Sequence, residues 1–362
     1  MPKHTIIIAA ISSRAYVQAA VNAGFEVIAI DAFADVDTQA SCTQVFQIDV
    51  QNGQFDAAQL LAALDKVDLA NCLGLSYGAG FEAQPELLVA ISKRTKLIGN
   101  IPETVAQIKN PQTFFDFCDA EAMPHPITQM QRPRDCKNWL QKRIGGSGGA
   151  HIKPLLPLDL GVENAIYFQQ KQAGKPHSCL FLADGRHAQI IGFNEQWCDP
   201  TELLPYRYGG AVSHADIRDA IKNQLEAFVQ AATLHFGLKG INSCDFLVQN
   251  DTVFMLEINP RLSATLDLYR AKKGDLLAAH IIACLGNFKD WPQIENSASA
   301  HHIVYANMLA NVPAEMDWPD WVCDIPQPNS AIPAGAPLCT VVASARTAKL
   351  AKQKVLQRAA SL

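Results

Sequence analysis

Over residues 1–105 short β-branched and aliphatic runs alternate with stretches of helix-forming residues, a rhythm that predicts parallel strands joined by crossover helices. Residues 5–10 read as a buried strand, 13–23 as a helix ending at Gly24, and 25–30 as a second buried strand closing on Asp31. Together they form a βαβ unit. Further strands are expected at 45–48, 71–75 and 96–99, with helices at 56–64 and 85–92. Open sheets of this kind take ligands at the carboxyl ends of their strands, which makes the turn at Ser12, Ser13 and Arg14 and the loop 76–80 candidate binding segments. That first turn lacks the Gly-x-Gly-x-x-Gly needed for a dinucleotide pyrophosphate, so Asp31 reads as an ordinary strand-end residue.

Beyond Pro102 the pattern changes. A helix over 111–120 and the proline-bounded connector Met123-Pro124-His125-Pro126 lead into strand and loop alternation that reads as antiparallel, with a domain boundary near residue 105. From residue 286 the chain is rich in proline, including Pro313, Pro319, Pro326 and Pro328. It ends in a helix over 345–360, where Ala348, Ala351, Val355 and Ala359 recur at helical spacing. This last region reads as a small closing subdomain, and the Lys and Arg of its helix as a solvated face.

Composition narrows the functional classes. The chain has 362 residues, of which 49% are hydrophobic and 18% charged, enough for two or three cores. With 30 Lys and Arg against 35 Asp and Glu, it lacks the basic excess that nucleic-acid phosphates demand, and no nucleic acid is expected as partner. Its ten cysteines show no Cys-x-x-Cys spacing, and most, such as Cys72 and Cys284, lie in apolar stretches where a reduced thiol behaves as a small hydrophobe. The apolar run at 6–12 is too short for a signal peptide, and no run approaches the ~20 residues that span a bilayer. The expectation is a cytoplasmic protein with no membrane partner.

Two segments carry chemistry. In the first, a short strand at 139–144 delivers Lys142 into Gly145-Gly146-Ser147-Gly148-Gly149, after which a second strand leaves. Successive glycines let backbone N–H groups turn inward around phosphate oxygens, with Lys142 as the compensating charge. The same run also reads as a flexible hairpin tip. In the second, strands 243–248 and 253–258 meet at a turn centred between Asn250 and Asp251, so Asp245 pairs with residue 256 or 257. Its carboxylate can then lie beside that of Glu257, while Asn259 points to the same face, giving three hard oxygen donors suited to Mg²⁺. Such a set is costly to bury without a cation. Arg261, again two residues on, can pair with a phosphate.

Taken together, these segments resemble the ATP-grasp superfamily, in particular its carboxylate–amine ligase-like and biotin-carboxylase-like branches. The resemblance implies mixed α/β and α+β architecture, with a Rossmann-like pre-ATP-grasp domain (1–105), a two-subdomain ATP-grasp fold (106–285, divided into about 106–172 and 173–285) and a closing subdomain (286–362). It implies ATP between the two halves under Lys142 and the loop Gly145, Gly146, Ser147, Gly148 and Gly149, with Mg²⁺ or Mn²⁺ on Asp245, Glu257 and Asn259. Lys142 and Arg261 would be the catalytic residues. The nucleotide hinge falls at 167–174, where the backbone of Lys171 and Gln172 would meet adenine, with Gln170 also in the ATP site, and His177 would take the ribose. The chain departs from the family pattern in having Gln170 where Glu is usual, Pro176 where a ribose-binding Glu often stands, and Pro111 at the usual phosphate-lysine position, with Lys109 two residues away.

By the same resemblance, the activity is ADP-forming ligation. A small-molecule carboxylate is activated as an acylphosphate and passed to an amine, in small-molecule or cofactor biosynthesis. Arg14, Tyr77, Arg207 and Ser263 are candidate substrate contacts, Arg14 or Arg207 by bidentate pairing with a carboxylate. The alternatives are a degenerate nucleotide-binding or regulatory protein and an ATP-grasp kinase. For assembly, a homodimer is the commonest closed state.

Overall fold

A computed structural model describes residues 4–157, 165–269, 273–288 and 297–362. The chain opens with β1 (Thr5–Ala10), α1 (Arg14–Asn22), β2 (Glu26–Asp31), α2 (Val36–Gln39) and β3 (Gln44–Gln47). A short hairpin of β4 (Val50–Gln51) and β5 (Gln54–Phe55), then α3 (Ala57–Leu64), β6 (Cys72–Tyr77) and α4 (Pro85–Ser92), complete the first domain. Its parallel sheet has the order β3-β2-β1-β6. Because β1 is covered on both faces, alternation divides its side chains between two cores. Ile6 and Ile8 share a cluster with Val17 and Ala20 of α1, whereas Ile7 and Ala9 share one with Leu60 and Leu64 of α3.

The strand expected at 96–99 is reduced to a bridge between Leu75 and Leu97. Asn100 draws the chain away. Its Nδ2 donates to Asn242 Oδ1 (2.8 Å) and to the Pro260 carbonyl (3.0 Å), and its Oδ1 accepts from the Lys239 N–H (2.7 Å). These bonds join the first domain to the hairpin that carries the candidate metal ligands.

Next come α5 (Pro102–Lys109) and α6 (Pro111–Ala120), separated by Asn110. The Asn110 side chain accepts from Thr113 N–H, and Pro111 takes the first helical position, where a missing donor costs nothing. Then β7 (Thr128–Gln129), β8 (Trp139–Arg143), β9 (Ile152–Pro154) and β10 (Ile166–Gln170) form an antiparallel sheet in the order β7-β10-β8-β9.

The larger antiparallel sheet begins with β11 (Lys175–Asp184), β12 (Ala188–Cys198) and β13 (Tyr208–Ser213), and continues after α7 (Asp219–Phe236) with β14 (Lys239–Gln249) and β15 (Thr252–Asn259). A 3-10 turn (Ala264–Leu268) and α8 (Lys273–Cys284) lead to β16 (Ala298–Tyr305), β17 (Ala310–Asn311), β18 (Val322–Cys323), β19 (Ala331–Ile332), β20 (Pro337–Ala345) and α9 (Ala348–Ala360). The sheet order is β15-β14-β11-β12-β13-β16-β20-β18. The segment beyond residue 286 therefore extends the preceding sheet, where a separate closing subdomain was expected. Ala298, Ala300, Val341 and Ala343 give it an apolar face, which Ala351 and Val355 of α9 cover. One face of the large sheet, bearing Leu180, Leu182, Ala211 and Ile241, packs toward α1 and α8; the other, bearing Phe181, Cys244 and Phe246, packs toward α6 and α7. No helix among the described residues is long and apolar enough to cross a membrane.

Candidate functional site

The β14–β15 hairpin turns through Asn250 and Asp251, both left-handed (φ 47° and 63°), a conformation these two residue types tolerate better than most. A bulge between Asp245 and Phe246 shifts the ladder, so Asp245 stands opposite Glu257 and not residue 256, and Ser243 stands opposite Asn259. Asn259 Nδ2 donates to Asp245 Oδ2 (2.9 Å) and lies 3.5 Å from Glu257 Oε1, while Gln196 Nε2 donates to Asp245 Oδ1 (3.1 Å). From the end of α5, Lys109 Nζ donates to Glu257 Oε2 (2.8 Å) and Asn259 Oδ1 (2.7 Å).

The electrostatics follow from this crowding. Burial, and then the neighbouring Glu257 charge, push the Asp245 carboxyl well above its usual range. Burial acts on Glu257 in the same sense, but the Lys109 ammonium and its hydrogen bond outweigh it and hold that carboxylate low. No three His, Cys, Asp or Glu side chains are grouped to hold a metal among the described residues. The donor set is thus two carboxylates and an amide oxygen, hard donors that fit Mg²⁺ or Mn²⁺ when water and phosphate complete the shell. That an ammonium bridges Glu257 and Asn259 is direct testimony that the set takes positive charge.

Lys142, buried on β8, donates through Nζ to Gln169 Oε1 (2.6 Å), and Gln169 is held in turn by its Nε2 donating to Thr128 Oγ1 (3.0 Å). Burial lowers the Lys142 ammonium to about 8, against the opposing pull of Glu257 and Asp245. The glycine loop that follows is packed down against its neighbours. Gly145, Gly148 and Gly149 are left-handed (φ 70°, 66° and 74°). A Cβ at 145 would lie 2.5 Å from the Glu82 carbonyl oxygen, and one at 149 would lie 1.8 Å from that of Tyr206. Gly146 rests on the His151 ring, whose Nδ1 is 3.3 Å from the Ser147 carbonyl, and the Tyr208 N–H donates to the Gly148 carbonyl (3.0 Å). The cleft lined by Lys109, Gly145, Gly146, His151, Tyr167 and Glu257 has a volume of only about 30 Å³, too small for a nucleotide in this conformation.

Several expected contacts are committed elsewhere. The Lys171 N–H, assigned to adenine, donates to the Asn138 carbonyl (2.7 Å), and Gln170 N–H donates to that of Ile127 (2.8 Å). Gln172 Nε2 donates to Gln249 Oε1 (2.7 Å). His177 Nδ1 lies 2.9 Å from the Lys175 carbonyl, and its ring stacks on Phe246 on the sheet face opposite Asp245. Arg261 Nε donates to buried Glu82 (2.8 Å), which also accepts from Gly80 and Phe81 N–H groups.

The substrate candidates fare similarly. Tyr77 is a core residue whose hydroxyl donates to the Asn100 carbonyl (2.7 Å) beside Phe81. Ser263 caps the 3-10 turn, its Oγ accepting from Thr265 N–H. Arg207 donates to Asp199 and lies over the Tyr305 ring (3.7 Å). Arg14, expected to bind a substrate carboxylate, instead makes a bidentate pair with Asp267 (3.1 and 3.0 Å) and a bond to Asp324 (3.0 Å), joining three parts of the chain. Arg14→Met should therefore cost about 3–5 kcal/mol by stranding the buried Asp267 and the partly buried Asp324 carboxylates. Urea unfolding measures this, and an unchanged midpoint would mean the pairs are not formed in solution.

Lys109, Gln169, Gln196, Glu82 and His151 went unassigned in the sequence. Only Lys109 left a signal, lying two residues from the expected phosphate-lysine position at the end of a helix.

Comparison with known proteins agrees with this geometry. Residues 111–265 match the family model of the ATP-grasp domain. An uncharacterized protein of Methanocaldococcus jannaschii is 24% identical over 358 residues, covering 93% of this chain and 87% of that protein. Among solved structures, the biotin carboxylase domain dimer of Hydrogenobacter thermophilus 2-oxoglutarate carboxylase, in complex with MgADP, ADP and bicarbonate, is similar with a TM-score of 0.75, 11% identity, and coverage of 98% of this chain and 89% of that one. The N5-carboxyaminoimidazole ribonucleotide synthetase of Thermotoga maritima gives a TM-score of 0.67 at 12% identity, with 98% of each chain covered. The L-amino acid ligase of Bacillus licheniformis gives 0.68 at 10%, covering 99% of this chain and 97% of that one. At such identities the likeness is one of fold.

Proposed function

We propose, from the match of residues 111–265 to the ATP-grasp domain model, that the chain is an ATP- and Mg²⁺-dependent ligase that activates a small-molecule carboxylate as an acylphosphate and transfers it to an amine, releasing ADP and phosphate. The observation that carries this reading is the convergence of Lys109, Lys142, Asp245, Glu257 and Asn259 beneath a closed glycine loop. Two cations and a set of hard oxygen donors in one buried cleft match the needs of a triphosphate with its metal.

Asp245, Glu257 and Asn259 would hold Mg²⁺, which supplies charge neutralisation across the phosphates. Lys109 and Lys142 donate to phosphate oxygens, and the amides of the loop wrap them. A carboxylate oxygen attacks the γ-phosphorus and ADP leaves, with Arg261, fixed by Glu82, balancing charge on the transferring group. The amine nitrogen then attacks the acyl carbon, and the C–O bond to phosphate breaks. The packed loop keeps water from the acylphosphate.

Thermal unfolding with and without a non-hydrolysable ATP analogue and Mg²⁺ tests the site. Saturation to 100 times the dissociation constant adds ~2.7 kcal/mol, visible as a rise in melting temperature. Lys142→Ala should abolish that rise. A rise in wild type followed by hydroxamate formation, when hydroxylamine is added to a carboxylate panel with MgATP, supports acylphosphate chemistry. A stable phosphorylated product unreactive to hydroxylamine selects the kinase instead. The committed Lys171 N–H favours a second reading, a nucleotide-binding protein without turnover. Nucleotide protection with no ADP release across the panel selects it.

A further inference from the structure

We propose that Tyr208 and His301 form the proton-accepting pair for the amine nucleophile, an assignment that rests on the ligase reading above. Tyr208 Oη and His301 Nε2 are 2.7 Å apart, and His301 is 4% exposed.

The sheet places this pair beyond the candidate metal ligands. Cross-strand partners share a face. Asp245 stands opposite Ser178, and Ser178 opposite Asn194; two residues further along β12, Gln196 stands opposite Ala211, and Ala211 opposite His301. His301 therefore shares the face of Asp245, and Gln196, which donates to Asp245, bridges the interval. Tyr208 stands opposite Cys198, two residues beyond Gln196 on the same face. Asp245 on β14, Arg261 after β15, Tyr16 on α1 and Tyr305 on β16 are the charged and titratable groups that act on it. The pair thus borders the junction of the hairpin, the first domain and the C-terminal strands.

Tyr208 is also held firmly. Its N–H donates to Gly148 in the glycine loop (3.0 Å), and its carbonyl accepts from the Tyr305 hydroxyl (2.8 Å). Closure of the loop and placement of the phenol are therefore mechanically linked.

Chemistry supplies the need. A primary amine in water is protonated at neutral pH, as lysine is with its pKa near ~10.4, and only the free lone pair attacks an acyl carbon. The carboxylates nearby are committed, Asp245 and Glu257 to the cation set and Glu82 to Arg261. In the tautomer that carries the His301 proton on Nδ1, Nε2 is the acceptor for the Tyr208 hydroxyl. A proton passes from the amine to Tyr208 Oη as the phenolic proton moves to His301 Nε2. The nitrogen lone pair forms the C–N bond, and the cationic nitrogen gives its second proton to the departing phosphate as the C–O bond breaks with its electrons, leaving a neutral amide and hydrogen phosphate. His301 then releases the first proton to water.

Tyr208→Phe removes one hydroxyl, and His301→Gln keeps polarity without basicity; retained melting temperatures check that both fold. Each is assayed with the carboxylate found by the hydroxamate screen, first with hydroxylamine, which is unprotonated at neutral pH, and then with a panel of free L-amino acids, ethylamine and putrescine. Both variants should keep hydroxamate formation near the wild-type rate and lose amide formation by about 100-fold or more. Equal losses with both nucleophiles, or no loss with amines, overturn the proposal. Wild type that makes hydroxamate but no amide with any amine also overturns it. Wild type that makes no hydroxamate at all refutes the ligase reading, a distinct result.

Discussion

Glu257→Gln should leave the protein folded and lower metal-dependent turnover by about 100-fold or more, the scale expected when a fixed charge aimed at a transferring phosphoryl group is disturbed. The side chain keeps its length and one oxygen, so packing is preserved. What changes is charge. Glu257 is the acidic partner of Lys109 (2.8 Å), and its own charge is one of the causes that raise Asp245. Neutralising it takes the carboxylate from Lys109 but lets Asp245, on which the Lys109 charge already acts, ionise more readily, so the buried ammonium keeps an anion nearby while the hairpin loses a metal ligand. Stability should accordingly move little. ATP-analogue protection should survive in large part because Lys142 and the loop are intact, whereas the Mg²⁺ dependence of that protection should weaken. Paired measurements of melting temperature against Mg²⁺ and of ADP release make the check, and normal turnover by the variant would refute the metal assignment.

The hairpin shows where sequence reading reaches its limit. Alternation and the Asn-Asp turn were enough to bring Asp245 near Glu257, but residues 256 and 257 stayed equivalent as partners. The bulge between Asp245 and Phe246 decides between them, and a bulge is chosen by packing against neighbouring strands. Local periodicity likewise made β1, β2, α6 and the strand of Lys142 readable, because their burial follows a fixed repeat.

Residues at strand ends were less legible. Arg14 and Tyr77 stand where open sheets often bind ligands, and Ser263 follows the hairpin of the candidate metal ligands, yet each is taken by a partner that no short window contains or by its own turn. Arg14 meets Asp267 and Asp324, 253 and 310 positions away. Lys109 meets Glu257 across 148 positions, so only the fold brings it to the cleft. The C-terminal strands misled for a similar reason: proline-rich connections looked like a separate unit, while the apolar alternation of Ala298, Ala300, Val341 and Ala343 was joining them to the sheet.

Gly149→Ala and Gly148→Ala should differ sharply, and the difference measures what loop closure contributes. Both residues are left-handed, so each alanine carries a backbone cost of about 1–2 kcal/mol in the closed conformation. Nothing lies within 4 Å of a Cβ at 148, whereas one at 149 falls 1.8 Å from the Tyr206 carbonyl oxygen, and that backbone cannot yield as a flexible side chain would. Gly148→Ala should therefore reduce turnover by about 5- to 30-fold, its backbone cost alone. Gly149→Ala should hold the loop off the 206–208 segment, break the Tyr208 bond to Gly148, and reduce turnover by about 100-fold or more. With the loop raised, water reaches the acylphosphate, so the residual activity of Gly149→Ala should release ADP without a matching yield of ligated product. The ratio of ADP to product, measured for both variants, separates loss of closure from loss of nucleotide binding, and an unchanged ratio in Gly149→Ala would mean that the packed loop is not what excludes water.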